Sequence, residues 1–247
     1  MAHIIALAGK GGTGKTTVAG LLVRLLVERK AGSVLAVDAD PNSNLGEVLG
    51  VPVNQTIGAV LDDVSANADK IPAGMSKDRY IEYKVQTAVV EADGFDVLTM
   101  GKPEGPGCYC YVNNVLRNVV EKLIKDYDWV IIDNEAGLEH LSRRTTRSAD
   151  TLLVIAHNTP VALRAAQRVS ALSDELKIKT GRKILLANSA AGDILPDRMA
   201  GLGLVSAGHI PLDSAVAELS EAGKPVWDLP VESAAYAAIS KFIEQNL

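Results

Sequence analysis

Short apolar runs rich in Val, Ile, Leu and Ala alternate along the chain with longer stretches of helical period. The runs predict strands at His3–Ala8, Ser33–Asp38, Asp96–Met100, Trp129–Asp133, Thr151–His157, Lys183–Asn188 and about Leu204–Ile210. Several are continuously apolar rather than alternating, as expected of strands covered on both faces. Helical period predicts helices at Lys15–Arg29, Asn113–Lys125, Leu138–Thr146, Ala162–Leu176, Ser214–Ala222 and Glu232–Gln245. The stretch from Asn113 is the clearest, with Val115, Leu116, Val119, Val120 and Leu123 on one stripe. Pro225 and Pro230 break the chain before the last helix. From Pro52 to Asp93 the pattern is weak, and short helices outside the main sheet are expected there. Strand–helix alternation of this kind builds a mostly parallel sheet of about seven or eight strands flanked by helices, an α/β fold. Strands run from residue 3 to about 210 with no linker or repeat, so residues 1–247 read as one domain.

Composition agrees with a globular core of aliphatic residues. The 247 residues are 47% hydrophobic, 22% charged and only 4% aromatic. Lys and Arg total 25 against 30 Asp and Glu, a formal charge of −5. That balance argues against a protein that coats nucleic acid, which needs a basic face. No apolar run approaches the ~18 residues of a membrane span. The opening Met1-Ala2-His3 leads directly into a strand pattern without a basic signal-peptide region. The cytoplasm is the expected compartment, with neither nucleic acid nor membrane as a partner.

Chemistry enters at Gly9-Lys10-Gly11-Gly12-Thr13-Gly14-Lys15-Thr16, which fits G-x-x-x-x-G-K-[ST] between the first strand and the first helix. Glycines let the backbone wrap closely so that successive N–H groups point at phosphate oxygens. The helix behind adds its open N–H groups and its positive end. Lys15 brings a cation to the β and γ phosphates, and the Thr16 hydroxyl is a Mg²⁺ ligand in this pattern. With Gly11, Gly12, Thr13, Gly14 and Thr17, these residues form the expected site for ATP or ADP, and the fold class narrows to a P-loop NTPase. The second strand ends in Asp38-Ala39-Asp40-Pro41, whose two carboxylates at i and i+2 are expected on one face of the strand end, placed to orient Mg²⁺-bound and attacking water. Trp129-Val-Ile-Ile-Asp133 is an apolar strand ending in Asp, followed by Asn134-Glu135-Ala136-Gly137, where the Gly137 N–H is suited to the γ-phosphate. Lys10, Lys15, Asp38, Asp40 and Asp133 are the expected catalytic group.

The chain has two cysteines, Cys108 and Cys110, with one tyrosine between them in a Gly/Pro-rich stretch. Two thiols at this spacing reach one soft ion. A stable thiolate site for Zn²⁺ or Ni²⁺ usually takes four donors, which a two-fold dimer would supply by presenting the pair twice.

Lys10, in G-K-G-G-x-G-K-T-T, resembles the deviant Walker A of the MinD, ParA and nitrogenase iron protein group. There the early lysine reaches across a dimer to the partner's nucleotide. Taken with Asp38-Ala-Asp40-Pro41, Cys108-Tyr-Cys110 and Asp133-Asn-Glu-Ala-Gly137-Leu-Glu-His140-Leu, nearly the whole chain resembles the CooC/AcsF-type nickel-maturation ATPases of carbon monoxide dehydrogenase and acetyl-CoA synthase. The resemblance implies ATP hydrolysis, a homodimer, and Ni²⁺ or Zn²⁺ held by Cys108 and Cys110 across it. It implies carbon monoxide dehydrogenase or acetyl-CoA synthase as client, and adenine contacts at Asn188 and Pro211. A membrane-positioning relative would want a basic amphipathic C-terminal helix, whereas residues 232–247 carry one Lys against two Glu. The alternative that stays open is an iron–sulfur carrier ATPase, because four thiolates also hold a [4Fe–4S] cluster. The four histidines form no motif. His3, His157 and His209 stand at strand ends, and His140 falls in the segment after Asp133.

Overall fold

The computed structural model describes residues 2–66, 71–101, 110–135 and 148–247. Among these residues, eight strands form one sheet in the order β3-β4-β2-β5-β1-β6-β7-β8. They are β1 (His3–Ala8), β2 (Val34–Ala39), β3 (Val90–Glu91), β4 (Asp96–Thr99), β5 (Trp129–Asn134), β6 (Ser148–Ala156), β7 (Lys179–Ala187) and β8 (Val205–His209). All neighbours pair in parallel except β3 and β4. This is the expected α/β architecture.

The continuous apolar strands have a direct structural reason. Ile4, Ala6 and Ala8 of β1 point into one core, and Ile5 and Leu7 point into the other. One face of the sheet is covered by α3 (Ile57–Ala66), α4 (Lys77–Ala88), α5 (Cys110–Ile124) and α6 (Pro160–Glu175), through residues such as Leu61, Ile81, Leu116 and Leu163. On the opposite face lie α1 (Lys15–Glu28), α2 (Leu45–Val48), α8 (Ser214–Glu221), a 3-10 turn (Val226–Asp228) and α9 (Ala234–Asn246). A short α7 (Pro196–Met199) lies in the β7–β8 connection. Leu22 and Leu25 of α1 are buried against the sheet, and truncating either to Ala would cost about 2–5 kcal/mol.

Most expected elements fall within a few residues of their observed bounds, and the departures are physical. β7 begins at Lys179, four residues before the expected start, because Lys179, Thr180, Gly181 and Arg182 extend the strand at an edge where no apolar signal marks it. Residues 52–93 do contribute helices, yet Ile57, Val60, Leu61, Ile81 and Val85 are fully buried in the core, so α3 and α4 cover the sheet. The same stretch also ends in β3, which pairs antiparallel with β4 and thereby joins the sheet. Two residues are too few to show a strand period. The helix from Asn113 starts three residues earlier, at Cys110. The helix expected at Leu138–Thr146 lies outside the described residues.

The topology also places the site. From β1 the chain winds out to β2 and β4, returns to β5 beside β1, and then crosses to β6 on the other side of β1. The carboxyl end of β1 is therefore where the winding reverses, the position at which open α/β sheets bind ligands.

Candidate nucleotide site

Gly9 leaves β1 at φ +149°, and a Cβ there would lie 2.2 Å from the Ile155 carbonyl oxygen. Only glycine lets the loop start this close to β6. Lys10 is exposed, and its carbonyl organises the loop by accepting from the Thr13 N–H (3.4 Å), the Thr13 hydroxyl (2.9 Å) and Lys15 Nζ (3.4 Å). Gly14 caps α1 in a left-handed conformation. The N–H groups of Gly14, Lys15, Thr16 and Thr17 have no acceptor among the described residues, so the start of α1 presents open donors and a positive end to an anion. Lys15 itself is 7% exposed.

A row of polar side chains runs beside this loop. Pairing sets Thr99 of β4, Asp38 of β2, Asp133 of β5 and Leu7 of β1 side by side, hence on one face, the α1 face. Asp38 is fully buried; its Oδ1 accepts the Asp40 N–H (3.0 Å) and its Oδ2 the Leu45 N–H (2.8 Å). Burial pushes the Asp38 carboxyl up to about 6, against the pull of those two N–H groups. Burial pushes Asp133 up to about 7, with the Thr16 side chain hydrogen-bonding it and opposing the shift and the Asp38 charge adding to it. Asp133 Oδ1 is buried with no hydrogen-bond partner. An orphaned carboxylate oxygen beside a threonine hydroxyl and a second carboxylate is a donor set that suits a hard cation such as Mg²⁺. Thr16, Asp38 and Asp133 are the residues that would hold it, directly or through water.

Asp40 behaves differently from the strand-based expectation. β2 ends at Ala39, so Asp40 opens a turn, accepting the Asn42 N–H (2.8 Å) and Asn42 Nδ2 (3.0 Å) at Oδ1. Its charge still acts on Asp38 and Asp133. Asn188 and Pro211 follow β7 and β8 on the same edge of the sheet as the loop. Asn188 Nδ2 donates to the Thr13 carbonyl at 2.8 Å. Gly11 and Gly12 stand exposed at the loop tip. Cys108, Gly137 and His140 lie outside the described residues, as does the side chain of Cys110, the first residue of α5. His3 packs on Trp129, His157 Nδ1 meets the Asn188 carbonyl at 3.1 Å, and His209 Nδ1 meets Asp193 at 2.7 Å.

Sequence reasoning passed over Asn134. Its side chain is 1% exposed and Nδ2 donates to the Leu7 carbonyl at 2.8 Å, tying the end of β5 to the end of β1 just before the loop. An amide directly after an apolar strand was the only signal. Among the described residues, no helix is long and apolar enough to cross a membrane.

Fold and site together define a P-loop ATPase of the MinD/ParA type. The chain belongs to the AAA_31 family (AAA domain), which matches residues 2–186. It is 42% identical over 247 aligned residues to an uncharacterized ATP-binding protein of Methanocaldococcus jannaschii, covering 98% of this chain and 97% of that one. It is 31% identical to the carbon monoxide dehydrogenase accessory protein CooC of Rhodospirillum rubrum, covering 91% and 89%. Among solved structures it is similar to the MinD cell division ATPase of Pyrococcus furiosus, with a TM-score of 0.72 and 26% identity over 99% and 98% of the chains. The MinD of Pyrococcus horikoshii, solved with Mg-ADP, is similar at a TM-score of 0.72 and 25% identity over 99% and 96%.

Proposed function

We propose that this ATPase is a metallochaperone that assists nickel insertion into carbon monoxide dehydrogenase or acetyl-CoA synthase. The observation that carries the reading is the Cys108-Tyr109-Cys110 pair in a chain whose length is matched by CooC. Cys110 heads the 15-residue α5, and a helix N-terminus favours an anion such as a thiolate. The pair follows β4, whose end is gripped near the nucleotide site, since the Met100 N–H donates to the Asp38 carbonyl at 2.8 Å. β4 neighbours β2, the strand that carries Asp38, which supports a link between the cysteine segment and the nucleotide site.

In this reading Lys15, with the loop from Gly11 to Thr13 and the open N–H groups of Gly14 to Thr17, binds the phosphates of ATP. Thr16, Asp38 and Asp133 would hold Mg²⁺, which would supply charge neutralisation at the phosphates. Asp38 and Asp40 orient the attacking water, Gly137 meets the γ-phosphate, and Asn188 and Pro211 flank the adenine. Lys10 acts across a homodimer on the partner's nucleotide. Two chains give four thiolates to one Ni²⁺ or Zn²⁺, so metal and ATP favour the same closed dimer and each tightens the other by the same factor. Hydrolysis opens the dimer and splits the metal site. The protein works in the cytoplasm.

The test is metal analysis of protein purified without oxygen, with sedimentation in the presence and absence of ATP. One Ni²⁺ or Zn²⁺ per two chains, lost in Cys108→Ala and Cys110→Ala with nucleotide binding retained, is the expected result. One tightly held ion per monomeric chain overturns the shared site. Brown protein absorbing near 400 nm, with iron and sulfide, replaces nickel maturation by iron–sulfur carriage.

A further inference from the structure

The side chain of Asn188 reaches back 175 residues to the phosphate loop. Its own placement is over-determined. The backbone N–H donates to the Ala156 carbonyl at 2.9 Å, and the backbone carbonyl meets His157 Nδ1 at 3.1 Å. Oδ1 accepts the N–H of Ser189 at 2.9 Å, a residue held at φ +50°. That last bond orients the amide so that Nδ2, rather than the oxygen, faces the loop. Nδ2 then donates to the Thr13 carbonyl at 2.8 Å. Gly14 leaves room for it, because a Cβ there would lie 2.3 Å from Nδ2.

The consequence follows from peptide geometry. In a trans peptide the C=O and the N–H of one plane point in opposite directions. Asn188 pulls the Thr13 carbonyl outward, so the Gly14 N–H of the same plane points the other way. That N–H has no acceptor among the described residues and belongs to the group of open donors at the start of α1. A flipped Thr13–Gly14 plane would replace that donor with a carbonyl oxygen, which repels phosphate.

We propose that Asn188 is a positioning residue of the phosphate loop, holding the Thr13–Gly14 peptide so that the Gly14 N–H faces the anion whatever base the ligand carries. The proposal rests on the P-loop reading and deepens it. It gives Asn188 a task separate from adenine contact: the base sets which nucleotide is preferred, and the Thr13 bond sets how well any polyphosphate is held.

A base-free ligand separates the two tasks. Binding of Mg-ATP, Mg-GTP and Mg-tripolyphosphate is measured by calorimetry for wild type, Asn188→Ala and Asn188→Asp. Loss of one hydrogen bond should weaken all three ligands by a similar factor in Asn188→Ala, roughly two- to tenfold. Asn188→Asp should lose more at pH 7.5, because a carboxylate repels the Thr13 carbonyl. It should recover as pH is lowered to about 4, the ordinary range of an Asp carboxyl, relative to wild type measured in parallel, as the protonated carboxyl donates again. Where Asn188→Ala does not fold, the reversible pH response of Asn188→Asp on one sample decides, and absence of recovery overturns the proposal. A loss confined to ATP, with tripolyphosphate unchanged, also overturns it and leaves Asn188 a base contact alone. Wild-type protein that binds ATP but neither of the other ligands overturns it too. Wild-type protein that binds none of the three removes the nucleotide reading itself.

Discussion

Asp38 and Asp133 stand opposite each other where β2 pairs with β5, both closed off from solvent and both with raised carboxyl pKa values. Two acids on adjacent strands of a dry sheet end are costly in charged form. They are placed where Lys15, Thr16 and a bound cation can offset that cost, so the site works against the resting fold.

This arrangement sets a stability prediction with a definite sign. A carboxyl whose folded pKa lies above its unfolded value near ~3.9 keeps a proton that the unfolded chain has lost. Its contribution to stability therefore declines as pH rises from about 4 through about 7. Asp133→Asn removes the charge and should stabilise the nucleotide-free protein at pH 8 by roughly 1 kcal/mol or more while abolishing hydrolysis. Thermal unfolding between pH 5 and 8 checks it: the gap between variant and wild type should widen with pH, and a constant gap would remove the electrostatic explanation.

Lys15→Ala should abolish ATP hydrolysis and leave the fold intact. Lys15 Nζ touches only the Lys10 carbonyl among the described groups, at 3.4 Å, and the first turn of α1 is held independently by the Val18 N–H on the Gly14 carbonyl at 3.0 Å. Phosphate release at wild-type rate by a folded Lys15→Ala protein would contradict the ATPase assignment.

Lys10→Ala should bind ATP with little change yet fail to dimerise on it. The loop uses the carbonyl of residue 10, which alanine keeps, while the ammonium is exposed and free to reach a second chain. Sedimentation with ATP decides. Undiminished dimerisation would return Lys10 to the role of a solvated side chain.

Asp213 links the site's far edge to the C-terminal helix. It caps α8 through the Ala215 N–H (2.9 Å) and accepts the Ser233 hydroxyl (2.6 Å) and the Ala235 N–H (3.0 Å) at the start of α9. The Ser233 hydroxyl, followed by those N–H groups, holds its carboxyl below the usual range. Stability from this group is present above the unfolded pKa and is lost as pH falls through the lower folded value. Asp213→Ala should cost about 1–2 kcal/mol at neutral pH, as loss of a cap does. Urea unfolding at pH 7 and pH 3 checks this, with the difference between variant and wild type shrinking at pH 3.

Local rules were legible in the chain. Apolar runs such as Ile4–Ala8 and Val34–Val37 mark strands buried on both faces, because a strand in a parallel sheet needs nonpolar contacts on each side. The spacing from Gly9 to Thr16 marks an anion loop, because the backbone can wrap a phosphate only with glycines at set positions. Asp38 and Asp133 could be chosen as site acids because each ends such a strand. What the chain alone left open depends on which strands become neighbours. That Asp38 lies beside Asp133 and Thr99 is a matter of register across β4, β2 and β5, and pairing over such separations leaves no local trace. β3 escaped notice because two residues carry no period, and Asp40 does not share a strand face with Asp38 because β2 stops at Ala39 and Asp40 turns to Asn42. The Asn188 amide meets the Thr13 carbonyl only because β6 and β7 stack beyond β1 and deliver a strand end to the loop. Side-chain spacing determines local structure and the chemistry on offer, whereas long-range packing decides which of those groups meet and how their charges are shifted.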